Sequence, residues 1–152
     1  MKLQDSLIIE APVDAVWAFI LDIPRVSACV PGAEGVNQTE PDSYRGKLKA
    51  KVGAVKAAFE GEAKIEEKIS PQKLSASFKA QDRALASIVT GAFSVQLTPI
   101  AAGTQLDYQM DITMRGRLAT MGFAVVQQSA KKITAEFAAC LSAALAESPP
   151  PV

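Results

Sequence analysis

The chain has 152 residues, 49% of them hydrophobic and 21% charged, with sixteen basic side chains balanced by sixteen acidic ones. A chain of this length buries roughly 70% of the surface its unfolded form exposes, so one domain can build a full core, and zero net charge excludes a whole-molecule binder of nucleic acid. Histidine is absent, which removes Ser-His-Asp and Cys-His nucleophile systems, His-ligated metal sites and the usual general base near neutral pH.

Residues 2–10 read as a strand. Pro12 suits the first helical position, and Asp14 places negative charge where the helix dipole favours it. Val13, Val16, Trp17 and Ile20 then recur at helical spacing, with Trp17 as a core anchor, until Ile23-Pro24 stops the helix. Asp22 can cap a second, short helix through Cys29, ended by Val30-Pro31-Gly32.

From 34 to 115 the period changes to two. Leu74, Ala76, Phe78 and Ala80 share one face, as do Gly91, Phe93, Val95 and Leu97, and then Leu106, Tyr108, Met110, Ile112 and Met114. Such alternation marks antiparallel strands with one wet face. Six runs with turns near 40–43, 52–55, 69–72, 82–86 and 99–103 make a meander. A two-residue turn at Gly53-Ala54 sets one register: Val52 faces Val55, Ala50 faces Ala57, Leu48 faces Phe59, Gly46 faces Gly61 and Tyr44 faces Ala63. On the other face Lys47 meets Glu60 and Arg45 meets Glu62, and a slip by one residue destroys both agreements.

The last element reads as one long helix from about Arg117 to Ala146. Leu118, Gly122, Val125, Val126, Ser129, Ala130, Ile133, Phe137, Cys140 and Leu141 share its buried arc, and Thr120, Gln127, Lys131, Thr134 and Ser142 lie opposite. The order demands an α+β domain, residues 1–147, in which a curved antiparallel sheet of about seven strands grips the final helix. Residues 148–152, with three consecutive prolines, form an extended tail.

No stretch approaches the roughly 18 apolar residues of a membrane span, and Met1–Ser6 lacks the apolar segment of a secretory signal. The expected compartment is the cytoplasm. There a disulfide between Cys29 and Cys140 is not expected, and both read as ordinary buried thiols. No metal site is expected from two cysteines alone.

A site is expected in the sheet's concavity. Gly122 and Ser129 put small side chains on the helix where bulky ones would fill it, beside Val125 and Val126. Opposite stand Phe59, Phe78, Phe93, Tyr108, Met110 and Met114, which suit an apolar ligand. Turn parity gathers Lys51, Val52, Val55, Lys56, Arg83, Leu85, Arg115 and Arg117 at one end. This is a basic rim with exposed apolar tips, fit for anionic lipid or an acidic partner.

Ala11-Pro12 before Val16-Trp17, the Val30-Pro31-Gly32 loop, Lys51-Val52-Gly53 with Phe59-Glu60-Gly61, Gly103-Thr104 before Tyr108, and Gly116 with Gly122 together resemble the carbon monoxide dehydrogenase G-subunit family. That family is part of the START and birch-pollen-allergen-like helix-grip superfamily, and the similarity runs from about residue 2 to 146. Ala54 departs from it, standing where a proline is expected after Val52-Gly53. The resemblance implies an accessory carrier beside a molybdenum hydroxylase, moving a lipophilic molecule such as a respiratory quinone between membrane and enzyme. It implies no covalent cofactor, only a bound quinone or other lipid, with no catalytic residues and no nucleic-acid partner. Some relatives continue into a membrane-associating tail. Here the chain stops at three prolines and a valine, so only transient, peripheral membrane contact is expected.

Two other readings stay open. One is a ligand-free assembly or membrane-recruitment factor, which needs the rim and no cavity. The other is a polyketide cyclase-like enzyme, which needs acid–base groups inside. Its inward candidates are Tyr44 and Tyr108, poor bases near neutral pH, and Glu136 at the edge of the helix's buried arc.

Overall fold

The computed structural model describes residues 1–147; the proline-rich tail expected over 148–152 lies outside the described residues. In chain order come β1 (Lys2–Ile9), α1 (Val13–Leu21), α2 (Ile23–Cys29), β2 (Ala33–Glu40), β3 (Ser43–Val52), β4 (Val55–Ile69), β5 (Lys73–Asp82), β6 (Ser87–Ile100) and β7 (Gly103–Arg115). A 3₁₀ helix (Arg117–Met121) and α3 (Phe123–Glu147) complete it. The seven strands form one antiparallel sheet, ordered β1-β7-β6-β5-β4-β3-β2. It is the helix-grip architecture that the sequence order demands.

Local chemistry sets the helix boundaries. Pro12 is extended and precedes α1 instead of forming its first turn, while Asp14 does sit in that turn. The Asp22 carboxylate accepts a hydrogen bond from the Arg25 N–H at 3.4 Å, capping α2. The β3–β4 hairpin holds the expected register, from Val52 opposite Val55 to Tyr44 opposite Ala63. On its wet face Arg45 pairs with Glu62 at 3.6 Å and Lys47 with Glu60 at 3.9 Å. Such exposed pairs contribute little energy, about 0.2–1 kcal/mol each, but they penalise a slipped register.

The interior divides into two apolar clusters. The larger packs Val16, Trp17, Phe19 and Ile20 of α1 with Ile9, Leu74, Leu97, Leu106 and Leu141, and closes one end of the fold. The smaller packs Val52, Ala57, Leu85, Leu118 and Val126 at the other end.

Three expectations are corrected. Cys29 and Cys140 are joined by a disulfide, with Cα atoms 5.4 Å apart. Sequence separation hid the pairing, because α2 and the C-terminal half of α3 meet only in the tertiary fold, inside the larger core. The single long helix is interrupted: Gly116 and Gly122 bracket the 3₁₀ helix with φ of 91° and 89°. Their ψ values, −155° and 154°, complete a backbone conformation that only glycine adopts readily. Gly122 is therefore a joint in the chain and not a space-making residue within a helix. Finally, Thr134 and Gln127, expected on the solvent face, are half-buried. Thr134 stands four residues after Ala130 and seven before Leu141, and Gln127 seven before Thr134, so helical periodicity puts both at the edge of the buried arc and not opposite it.

Candidate functional site

The concave face carries the expected aromatic and methionine side chains, and they fall into three groups along the strands. Phe59 and Met114 pack against the smaller core with Val125, beside the buried Val126. Tyr108 packs against the larger core. Between the cores lies a band containing Phe78, Phe93 and Met110, all half-buried although each shares strand parity with sealed core residues such as Leu74, Leu97 and Leu106. Met110 stands opposite Phe93, and Phe78 opposite Gly91. Gly91 has no room for a side chain: a Cβ there would lie 2.7 Å from the Phe78 ring. The ring thus spreads across β6.

On α3, Ser129, Ala130 and Ile133 are also half-buried. The helix backbone comes close to α2, β1 and β3, so it crosses the concavity from one side of the sheet to the other. Phe78, Phe93 and Met110 are thus less sealed than the buried residues that precede or follow them on their strands. A hydrogen bond from the Tyr108 hydroxyl to Thr134 Oγ1, 3.2 Å long, joins β7 to α3 at the boundary with the larger core.

A cleft of about 260 Å³ opens at the edge of β7, lined by Met1, Ile112, Met114, Leu118, Phe123 and Val126, with Gly122 at its margin. Here β7 runs beyond its pairing with β1, which ends at Lys2 opposite Asp111. Phe123 at its mouth is 46% exposed. A larger trough of about 550 Å³ lies away from the helix, among Arg45, Lys47, Glu60, Glu62 and Lys79. Four of those side chains already pair with one another, so we place the candidate site on the concave face.

The rim needs a correction. Val52 and Leu85, expected as exposed apolar tips, are buried in the smaller core, and Val55 is half-buried against it. The turns fold inward onto the 3₁₀ helix and α3: the Gly53 tip approaches Val125 and Met121. The basic residues do face solvent. Lys51, Lys56, Arg83, Arg115 and Arg117 are exposed, and among the described residues none forms an ion pair. Lys51 stands directly opposite Lys56, a like-charge pairing that costs stability. The exposed apolar groups at this end are Ile88, opposite Arg115, and Phe123.

Buried polar groups that the sequence did not single out hold this end in shape. Asp82 is buried, and its carboxylate accepts from the Ala58 N–H at 2.7 Å and the Leu85 N–H at 3.0 Å. Those backbone donors, Ala58 first, hold its pKa below the ordinary carboxylate value, against the opposing effect of burial. The Ser87 hydroxyl donates to the Leu85 carbonyl and accepts from the Leu118 N–H. At the other end Thr104 donates to the Ala11 carbonyl at 2.8 Å. Asp and Ser in a turn are usual in any sequence, so no local signal marks them as sealed.

Among the described residues no helix is long and apolar enough to cross a membrane. Solved structures share the fold. A conserved protein from Geobacillus kaustophilus matches over 97% of both chains at 21% identity with a TM-score of 0.90. Protein Ms6760 from Mycobacterium smegmatis matches 97% of this chain and 92% of its own at 14% identity, TM-score 0.71. The Zhui aromatase/cyclase from Streptomyces sp. R1128 matches 96% and 93% at 14% identity, TM-score 0.67. At these identities the likeness shows the fold alone. No curated protein sequence matches. The family profile of the carbon monoxide dehydrogenase G-subunit, CoxG, matches residues 6–146, nearly the whole helix-grip unit. With that span matched and the fold in agreement, the chain belongs to the CoxG family, the carbon monoxide dehydrogenase G-subunits.

Proposed function

We propose that this protein binds a lipophilic small molecule, a respiratory quinone, between α3 and the concave sheet. In this reading it serves as an accessory carrier beside a carbon monoxide dehydrogenase-type molybdenum hydroxylase. The observation that carries the proposal is the half-buried band of Phe78, Phe93 and Met110 between two sealed cores. Protein interiors ordinarily pack as densely as organic crystals. Large apolar side chains left partly open beneath a helix are the expected lining of a site for an apolar ligand. The role is non-catalytic and needs no covalent cofactor. The place it requires is the cytoplasmic side of the membrane, with peripheral contact only. Cys29 is buried and Cys140 half-buried, which limits the access of reductants to the cross-link there.

The test is native mass spectrometry of protein purified without detergent, followed by solvent extraction. A co-purified isoprenoid quinone supports the carrier role. A protein that arrives empty and refuses added quinone overturns it.

A second reading, a recruitment factor that holds its enzyme partner at the membrane, is favoured by the basic end. Uncompensated Lys51, Lys56, Arg83, Arg115 and Arg117 beside exposed Ile88 and Phe123 combine charge and apolar contact, the two attractions by which proteins adsorb to anionic bilayers. The two roles are compatible. A cyclase-like activity has less support. Glu136 is exposed, which leaves Tyr44 and Tyr108 as the inward acid–base candidates.

A further inference from the structure

The Tyr108–Thr134 bond brings two hydroxyl hydrogens to one contact. Whichever group donates, one hydrogen remains without an acceptor among the described residues. Hydroxyls on the other helices turn back onto their own backbone: Ser27 donates to the Pro24 carbonyl and Thr120 to the Arg117 carbonyl. Among the described residues Thr134 makes no such bond. The pair also sits where a ligand would meet it. Tyr108 packs against the larger core, and Met110, the next inward residue on β7, belongs to the open band. Across from it, Thr134 lies one helical turn from Ala130 and adjoins Ile133, both half-buried.

We infer that the Tyr108–Thr134 pair is a polar anchor that donates a hydrogen bond to a carbonyl oxygen of the lipophilic ligand, fixing the ligand's polar head toward the larger core. The inference rests on the reading that the band is the ligand site. It deepens that reading by giving the quinone's carbonyl a named partner in the protein. In apolar surroundings a spare donor discriminates strongly, because a ligand without an acceptor leaves it unpaired. One net hydrogen bond corresponds to about three- to tenfold in affinity.

The experiment compares hexylbenzoquinone with hexylbenzene, each measured by displacement of an apolar fluorescent dye. The variants are Tyr108→Phe, Thr134→Val and the double variant, all near-isosteric, with thermal melts as the control for folding. Each single variant keeps one donor: without Tyr108 the Thr134 hydroxyl is free to donate, and without Thr134 the tyrosine is. The expected result is that the quinone preference survives in both single variants and falls about three- to tenfold in the double one, with hexylbenzene binding unchanged. If both compounds bind and the double variant keeps the wild-type preference, the anchor is wrong and the cavity reading stands. Failure of hexylbenzoquinone to bind the wild type overturns the cavity reading together with the anchor; if it binds and hexylbenzene does not, an unchanged quinone affinity in the double variant overturns the anchor.

Discussion

Cutting the bond between Cys29 and Cys140 tests the architecture most directly, because it ties α3 to α2 across a sequence separation of 111 residues. Restricting an unfolded chain with a loop of about 100 residues is worth about 4.7 kcal/mol in the chain-entropy account, and removing native disulfides typically costs about 2–5 kcal/mol. For a chain of this size each kcal/mol shifts the melting temperature by about 2–4 °C, so losing the bond lowers it by about 4–20 °C. The damage should also be local. The bond lies in the larger core with Phe137 and Leu141, so amide exchange should accelerate in the C-terminal half of α3 before the β4–β6 ladders. The assay is circular-dichroism melting of the wild type with and without reductant, alongside Cys29→Ser/Cys140→Ser, with exchange mapped by mass spectrometry. A melting temperature that moves by less than about 2 °C, or two free thiols in protein purified without reductant, would refute the reasoning.

Other perturbations follow from single residues. Asp82 has a lowered folded-state pKa, so its stabilisation is complete above the ordinary carboxylate value of about 3.9 and disappears as pH falls through the lower folded value. Melting temperature against pH should therefore drop more steeply below about pH 4 in the wild type than in Asp82→Asn; parallel curves would rule this out. Gly122→Ala meets no atom within 4 Å but must adopt a φ of 89°, and should cost about 1–3 kcal/mol by denaturant titration; a neutral substitution would mean the joint relaxes freely. Lys51→Glu turns the repulsion with Lys56 into an attraction, raising stability by about 0.2–1 kcal/mol while weakening adsorption to phosphatidylserine vesicles at low salt. Unchanged adsorption would remove this part of the rim from the membrane-binding surface.

The sheet was legible because its information is local and redundant. Alternation along each run and charge matching across the β3–β4 hairpin point to one register, and the observed pairing agrees from Tyr44 to Val55. Turn parity likewise placed Lys51, Arg83 and Arg115 at one end. What parity could not reveal was how far the tips fold over, so Val52 and Leu85 read as exposed and are buried. Their burial depends on the 3₁₀ helix, which arrives from a distant part of the chain, and on Asp82 and Ser87 bending the turn toward it.

Near-neighbour chemistry was enough to settle the order of the strands and the faces they present, since periodicity and turn signals act over a few residues. The rest waited on packing. The disulfide required two distant helices to meet. The break before Phe123 required a backbone angle that composition does not report, and the hydrogen bond between Tyr108 and Thr134 required β7 and α3 to pack together. Periodicity tells which side chains of α3 share a face, but where the helix begins was decided by the two glycines that bracket the 3₁₀ helix, and what its face meets was decided by packing.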